Sequence, residues 1–233
     1  MNLLALDIET TGVDPSTTNP VQLSMMIANG ENRRILMNTL CNPGEPIPKD
    51  ATAVHGITDN DVNSKPDAPI VCWQAEHIAA LHCPEILVTY NGKLFDIPII
   101  SRLSGGTYLS SLPHIDVLDM AYRYLPTLEN HKLGTVYKNV CGKDARNAHN
   151  ALADVQYTLD IMEAIRKQLK LSIPQLVEEM ATPKPYTIMP ISKYKGKVLS
   201  DIPKSFAQWL LSQNEGKPMR ADLRVSMEAI VNG

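Results

Sequence analysis

The stretch Leu3-Leu4-Ala5-Leu6-Asp7-Ile8-Glu9-Thr10-Thr11-Gly12 most constrains what this chain can become. Its apolar opening is that of a buried central strand. Such strands rarely carry charge, yet Asp7 and Glu9 stand inside this one. Side chains two apart on a strand leave the same face, so both carboxylates aim at one place. Like charges that close repel and raise each other's pKa unless something positive lies between them. The simplest such object is a divalent metal ion. Thr10, Thr11 and Gly12 then end the strand in a turn where backbone can approach a ligand closely. Alone, the pair also admits a plainer reading, a solvated strand end or carboxylates salt-bridged to a helix. The rest of the chain has to decide between them.

The chain has 233 residues, 44% of them hydrophobic, enough for one large domain or a domain with a small module. With two Phe and two Trp, the core falls to Leu, Ile, Val and the ten Met. Cys41, Cys72, Cys83 and Cys141 form no C-x-x-C pair and read as reduced, small apolar residues. A zinc site from Cys72, His77, His82 and Cys83 fits no standard spacing. The opening run lacks a basic leader region and is broken by Asp7, and no segment approaches the ~20 apolar residues of a membrane span. A cytoplasmic protein without membrane contact is expected. The net charge of −3 is uneven: residues 1–183 hold 14 Lys+Arg against 21 Asp+Glu, whereas residues 184–233 hold 8 against 4. The tail is locally basic, and metal-binding carboxylates would make the first part look more acidic than it acts.

The pattern predicts strands over 2–8, 21–28 and 33–40, the latter two joined by the turn Asn29-Gly30-Glu31-Asn32. Short helical turns are expected at 50–55 and 59–63, and a helix from Asp67 and Pro69 to His82. Ile70, Val71, Ala75, Ile78 and Leu81 mark its apolar face. Ile86–Tyr90 reads as a central strand parallel to the first, and 95–103 as a helix kinked or opened by Pro98. A strand over 114–118, helices to Tyr124 and over 131–141, a basic loop 142–147, a long helix over 150–169 and a short one after Pro174 complete this part. Strands alternating with helices after an antiparallel opening indicate an α/β domain with a mixed sheet. A large domain over 1–182, a Pro-marked linker at 183–187 and a small basic α+β module over 188–233 are the expected divisions.

Asp96 follows the 86–90 strand by the short turn Asn91-Gly92-Lys93-Leu94-Phe95, at the carboxyl end where α/β sheets bind ligands. It also reads as a helix cap. Asp154 lies in the first turns of the long helix, among Ala151, Leu152, Ala153 and Val155, as a dipole partner or as a ligand facing the sheet. His149 precedes it by five residues, and a lone loop His is ordinarily a surface residue.

Together these residues resemble the DnaQ-like 3′–5′ exonucleases of the DEDDh group, on an RNase H-like fold. Asp7-Ile8-Glu9-Thr10-Thr11-Gly12 resembles the first motif, Asn91 to Phe95-Asp96 the second, and His149-x-x-x-x-Asp154 the third. Ala53-Val54-His55-Gly56-Ile57-Thr58 resembles a segment common between the first two. A sister group carries Tyr four residues before the last Asp; that position here is Asn150, so the His version fits. The resemblance spans about 1–170. Beyond it, Met189–Asp201 with Trp209-Leu210 is similar to the C-terminal module of bacterial and phage enzymes of the exodeoxyribonuclease X type. Tyr194 and Trp209 there read either as base-stacking aromatics or, for Trp209, as core, since Phe206, Trp209 and Leu210 share a helical face; the shared face favours core. Lys193, Lys195 and Lys197 alternate as a solvated edge or as phosphate contacts.

The resemblance implies metal-assisted hydrolysis of a terminal phosphodiester. Asp7, Glu9, Asp96 and Asp154 would hold two Mg²⁺ or Mn²⁺ ions, hard cations that suit oxygen ligands, roughly 3.5–4 Å apart. Asp7 would be the bridge. His149, beside Arg146 and Asn147, would take the proton from the attacking water, a task suited to imidazole. Thr10, Thr11, Gly12, Val13, His55 and Asn91 would lie against the terminal nucleotide, with Val13 wedged between bases, although the family often carries a larger residue there. DNA 3′ ends, single-stranded or duplex, are the expected partner. An RNA exonuclease, a polymerase-associated proofreading exonuclease and an inactive nucleic-acid-binding module are the alternatives. Oligomeric state is not legible.

Overall fold

In the computed structural model, residues 1–146, 149–215 and 218–233 are described. A five-stranded mixed sheet runs in the order β3-β2-β1-β4-β5, with β1 Leu3–Thr10, β2 Pro20–Asn29, β3 Asn32–Leu40, β4 Ile86–Thr89 and β5 His114–Asp116. The β1–β2 and β2–β3 pairs are antiparallel hairpin neighbours; β1–β4 and β4–β5 are parallel and need helical crossovers. The expected mixed sheet and central first strand are both present.

The helices are α1 Lys49–His55, α2 Asp59–Val62, α3 Ala68–His82, α4 Asp96–Ser104, α5 Tyr108–Ser111, α6 Val117–Tyr124, α7 Leu133–Cys141, α8 Ala151–Leu169, α9 Ile173–Ala181, α10 Lys204–Gln213 and α11 Ala221–Asn232. Period-two alternation divides β1 between two cores. Leu4, Leu6 and Ile8 face α3 and α4 with Val71, Ala75, Ile97 and Ile100. Leu3 and Ala5 face α6 to α9 with Met120, Val155, Leu159 and Leu176. Asp7 and Glu9 continue this second face, so the helix packed across it, α8, is the one that can bring them a partner.

Several local expectations need correction. The buried face of α3 is Ala68, Val71, Cys72, Ala75 and Ala79, whereas Ile70 is 50% and Leu81 82% exposed. Small side chains let the helix lie close to the sheet, so they, and not the larger apolar residues, mark its inner side. Of the two roles read for Pro98, the kink is absent and the opening role holds: it sits in the first turn of α4, where its missing N–H is no loss. The predicted strand 114–118 ends at Asp116, whose carboxylate caps α6 by accepting from the Leu118 N–H. The helix predicted from His131 begins at Leu133. The basic loop 142–147 includes Asn147, which lies outside the described residues.

Residues 183–187 are pinned rather than free. The Lys184 N–H donates to Asp222 Oδ1 (3.0 Å) and that of buried Tyr186 to Ser226 Oγ (2.8 Å). Beyond them, Met189, Ile202, Phe206, Ala207, Leu223 and Met227 form a core with Tyr186, against which Tyr122 of α6 packs. Among the described residues, the β content of this part is a single antiparallel bridge, Ile188–Val198. Arg123 of α6 forks onto the Asp222 carboxylate (2.8 and 2.7 Å), joining α6 to α11.

Candidate active site

The β1–β4 ladder ends at Ala5–Val88. Beyond it the strands part, and the Ile8 N–H donates to Asp96 Oδ1 at 3.1 Å. The turn 91–95 makes this possible. Asn91 has φ +70°. At Gly92 a Cβ would lie 2.5 Å from the Thr89 side chain, so only glycine fits. Asp96 is the first residue of α4, with Phe95 as its cap, so the capping role read from sequence is corrected: its carboxylate reaches across to β1 instead.

On the other face, α8 starts at Ala151 with Asn150 as cap. Gln22, opposite Glu9 in the β1–β2 register, accepts from the Ala151 N–H (3.2 Å) and fixes the helix end over the strand. A register shift between Glu9 and Thr10 interrupts the β1–β2 ladder at this point, as bulges beside functional sites do. Asp154 thereby meets the strand pair: Asp7, Glu9 and Asp154 can each offer an oxygen with all three within 4.8 Å of one another. Among the described residues this is the group of His, Cys, Asp and Glu side chains close enough to share an ion; the cysteine–histidine set weighed for zinc does not form one. Asp96 lies outside that tight triangle, yet after burial itself it is the strongest push on the Asp7 pKa.

Electrostatics mark the site. Burial and then the surrounding carboxylates hold Asp7 well above the ordinary carboxylate range. Glu9 is pushed up to about 8 by burial and then by Asp154 and Asp96. Asp96, raised by burial above all, reaches about 7 against the N–H groups that lower it. Asp154, raised by burial and held down by its contact with His149, reaches about 6. Asp154 Oδ2 accepts the His149 N–H at 3.1 Å, while its Oδ1 is buried without any partner. A buried carboxylate oxygen with no partner, beside two further carboxylates, could hold a cation.

His149 is exposed and held at φ +67°, a conformation that costs a non-glycine residue of order 1–3 kcal/mol. His55 ends α1; its Nδ1 accepts from the Ile57 N–H (3.0 Å) and its Nε2 is buried without a partner. Burial lowers its pKa, and the Thr10 backbone and His149 both act on it, so the ring stands beside the end of β1. Val13 is 92% exposed. Thr10 Oγ1 closes the turn onto the Gly12 carbonyl (2.7 Å). The Thr11 hydroxyl is turned inward, onto Thr18 (3.0 Å) and Glu45 (2.7 Å), so it shapes the turn from below. Asn91 Oδ1 accepts from Arg220.

Two groups were missed in the sequence. Gln22 reads there as a polar strand residue and gives no signal of its tie to Ala151. Asp116 and Arg220 anchor the turn before Asp96: Asp116 accepts from the N–H groups of Asn91 (2.8 Å) and Lys93 (3.1 Å), and Arg220 bonds Asn91 and Asp119 from the far end of the chain. An Asp closing a short apolar strand was the visible half of that signal.

Comparison with known proteins places these features. The profile of the RNase T family, described as exonuclease, matches residues 4–162. An exonuclease of Escherichia phage 186 is 30% identical over 178 residues, 70% of this chain and 87% of its own. Exodeoxyribonuclease 10 of Escherichia coli K12 is 24% identical over 233 residues, 97% of each chain. The PolC-type DNA polymerase III of Bacillus cereus is 26% identical over 66% of this chain, which spans 11% of that polymerase's length. Among solved structures, E. coli exonuclease I with a dA16 oligonucleotide superposes with a TM-score of 0.62 at 20% identity, over 78% of this chain and 43% of that one. Exonuclease X with a 5′-overhanging duplex DNA gives 0.56 at 22% identity, over 76% and 98%. The sheet and its flanking helices are the RNase H-like fold of these enzymes. With a profile match running from the first strand into the helix that carries Asp154, this chain belongs to the DnaQ-like RNase T exonuclease family, enzymes that act on nucleic acids.

Proposed function

We propose that this chain is a metal-dependent 3′–5′ exonuclease that hydrolyses the terminal phosphodiester of DNA and releases nucleoside 5′-monophosphates. The observation that carries this reading is the meeting of Asp7, Glu9 and Asp154 with a buried, orphaned oxygen on Asp154, and Asp96 alongside. Among the described residues no Lys or Arg pairs with any of the four. The donor set is all carboxylate oxygen, which suits Mg²⁺ or Mn²⁺ better than zinc. Asp7, Glu9, Asp96 and Asp154 would hold two such ions, which supply Lewis-acid charge to the phosphate and to the attacking water.

The chain's own residues do the rest. The Ile8 and His149 N–H groups orient Asp96 and Asp154. The exposed His149 ring takes a proton from the attacking water. The water oxygen bonds to phosphorus, the P–O3′ bond breaks, and the 3′ oxygen leaves on the shortened strand. The Thr10–Val13 turn, His55 and Asn91 receive the terminal nucleotide, with Val13 at the exposed tip of the turn. We place the chemistry in residues 1–182 and treat 188–233, past the segment 183–187, as a basic module that binds substrate.

The end-to-end alignment with an exodeoxyribonuclease supports DNA and a free-standing enzyme. The PolC-type relatives favour a second reading, a proofreading exonuclease within a polymerase assembly. No described helix is long and apolar enough to cross a membrane; we infer a bacterial or phage-encoded enzyme that trims DNA ends in the cytoplasm, as repair requires.

Assay of 3′- and 5′-labelled DNA and RNA with Mg²⁺, and with EDTA as control, tests the proposal. Stepwise loss of the 3′ label from DNA, abolished by EDTA, is expected. Activity that survives EDTA overturns the metal reading, and preference for RNA overturns the substrate.

A further inference from the structure

The core role expected for Trp209 does not hold: its ring is 53% exposed, while Phe206, one turn earlier on α10, is buried. Leaving half of a large indole in water forgoes apolar burial worth about 25 cal/mol per Å², so the ring's position needs another cause. The neighbouring aromatics supply a surface. Phe206 lies between Tyr194 (centroids 4.7 Å apart, edge-on) and Trp209 (5.7 Å, planes 32° apart). These rings, with Ser192, Lys193 and Pro203, line an open groove of about 700 Å³, within the range of small-ligand sites.

One of its lining residues, Lys193, is a cation. Lys193 Nζ stands 5.2 and 5.5 Å from the Tyr194 and Phe206 ring centres. Lys197 and Lys204 are exposed, and among the described residues none of these three lysines forms an ion pair. Lys195 is spoken for, donating to the Glu129 carbonyl. An apolar aromatic floor beside the unpaired Lys193, in a part of the chain that is basic, suits a planar aromatic ligand that carries negative charge. Residues 184–233 hold 8 basic against 4 acidic side chains, so a second copy of this face would be repelled while a polyanion would be attracted.

We propose that this groove binds single-stranded nucleic acid, stacking one unpaired base against Trp209 and Tyr194 with Lys193 at the adjoining phosphate. It is a holding site separate from the carboxylate centre, and it rests on the nucleic-acid reading above. Base–aromatic stacking is sequence-tolerant and salt-sensitive, which suits an enzyme that shortens strands of any sequence.

The test uses the full chain and 5′-fluorescein dT20 in EDTA, where no cleavage competes. By fluorescence anisotropy, Trp209→Ala should weaken binding about 5- to 100-fold, Trp209→Phe should restore most of it, and Lys193→Glu should weaken it and flatten its salt dependence. Hydrolysis of the p-nitrophenyl ester of thymidine 5′-monophosphate, too short to span two sites, should proceed at the parent kcat/KM in all three variants. If Trp209→Ala and Lys193→Glu both bind dT20 within two-fold of the parent, the proposal is wrong. A parent unable to cleave the ester or labelled DNA would instead sink the exonuclease reading, with the dT20 affinities still deciding the groove.

Discussion

Two acidic groups stand at the carboxyl end of the parallel strands, and the chain treats them in opposite ways. Asp116 is saturated. It accepts from the N–H groups of Asn91, Lys93 and Leu118, and Arg220 lies 3.7 Å away while bonding Asp119. Burial and Asp116 raise the Asp119 pKa, but Arg220 opposes them. Asp96 accepts from the Ile8 N–H and Asp154 from the His149 N–H, and among the described residues no Lys or Arg pairs with Asp7, Glu9, Asp96 or Asp154. The first group is finished by folding and holds the turn in place. The second is left repulsive by folding, and under the proposed function a divalent cation would supply its counter-charge. An acidic cluster thus reads as structural or functional according to whether its counter-charge comes from the same chain.

The sharpest way to break that contrast is to empty the open group. Asp7→Ala or Asp154→Ala should abolish nuclease activity on labelled DNA. The same variants should melt in EDTA no lower than the parent, because each removes a repelling charge. A variant that keeps its activity would dismiss the cluster as the reaction centre. His149→Ala removes a proton acceptor and no carboxylate: the rate should fall about 10²–10⁴-fold, with Mg²⁺ affinity by calorimetry unchanged. Normal turnover would reassign the base.

The closed group should respond in stability first. Arg220→Ala strands the buried Asp116 and the half-buried Asp119 and should cost about 3–5 kcal/mol in urea unfolding; a loss under about 1 kcal/mol would mean that the backbone bonds to Asp116 suffice. The smallest effect is that of pH. Glu9, Asp96 and Asp154 have folded pKa values raised to about 8, 7 and 6. Their contribution is therefore fully present below the ordinary carboxylate range and is lost as pH rises through 6–8. The EDTA-treated protein should melt lower at pH 8.5 than at pH 5.5, by about 2–4 °C per kcal/mol, and Mg²⁺ should raise the midpoint more at the higher pH. Equal Mg²⁺ stabilisation at both values would contradict these shifts.

Much of the sheet was legible because its signals are local. An apolar run interrupted at alternate positions specifies a buried strand and the shared face of Asp7 and Glu9, and the short apolar run at Ile86 specifies a parallel neighbour. Helix faces were less legible. In α3 the sequence offers two apolar stripes, and close approach to the sheet selects the one with Ala and Cys. The ring of Trp209 belongs to a helical face that periodicity marks as apolar, and only the packing of Phe206 and Leu223 shows that the core closes before reaching it.

The sequence by itself determined which chemistry the chain carries: two carboxylates on one strand face, two more and a histidine in an order that resembles one family, and a basic C-terminal part. Tertiary structure decided which of them meet. Gln22 reaches the Ala151 N–H across 129 positions, and Arg220 reaches Asn91 across the same separation. Such pairings leave no periodic trace, because each depends on a single side chain and on the packing of everything between. The charge balance of the site was likewise undecided until folding put Arg220 beside Asp116 and left Asp154 with an oxygen that nothing in the described chain satisfies.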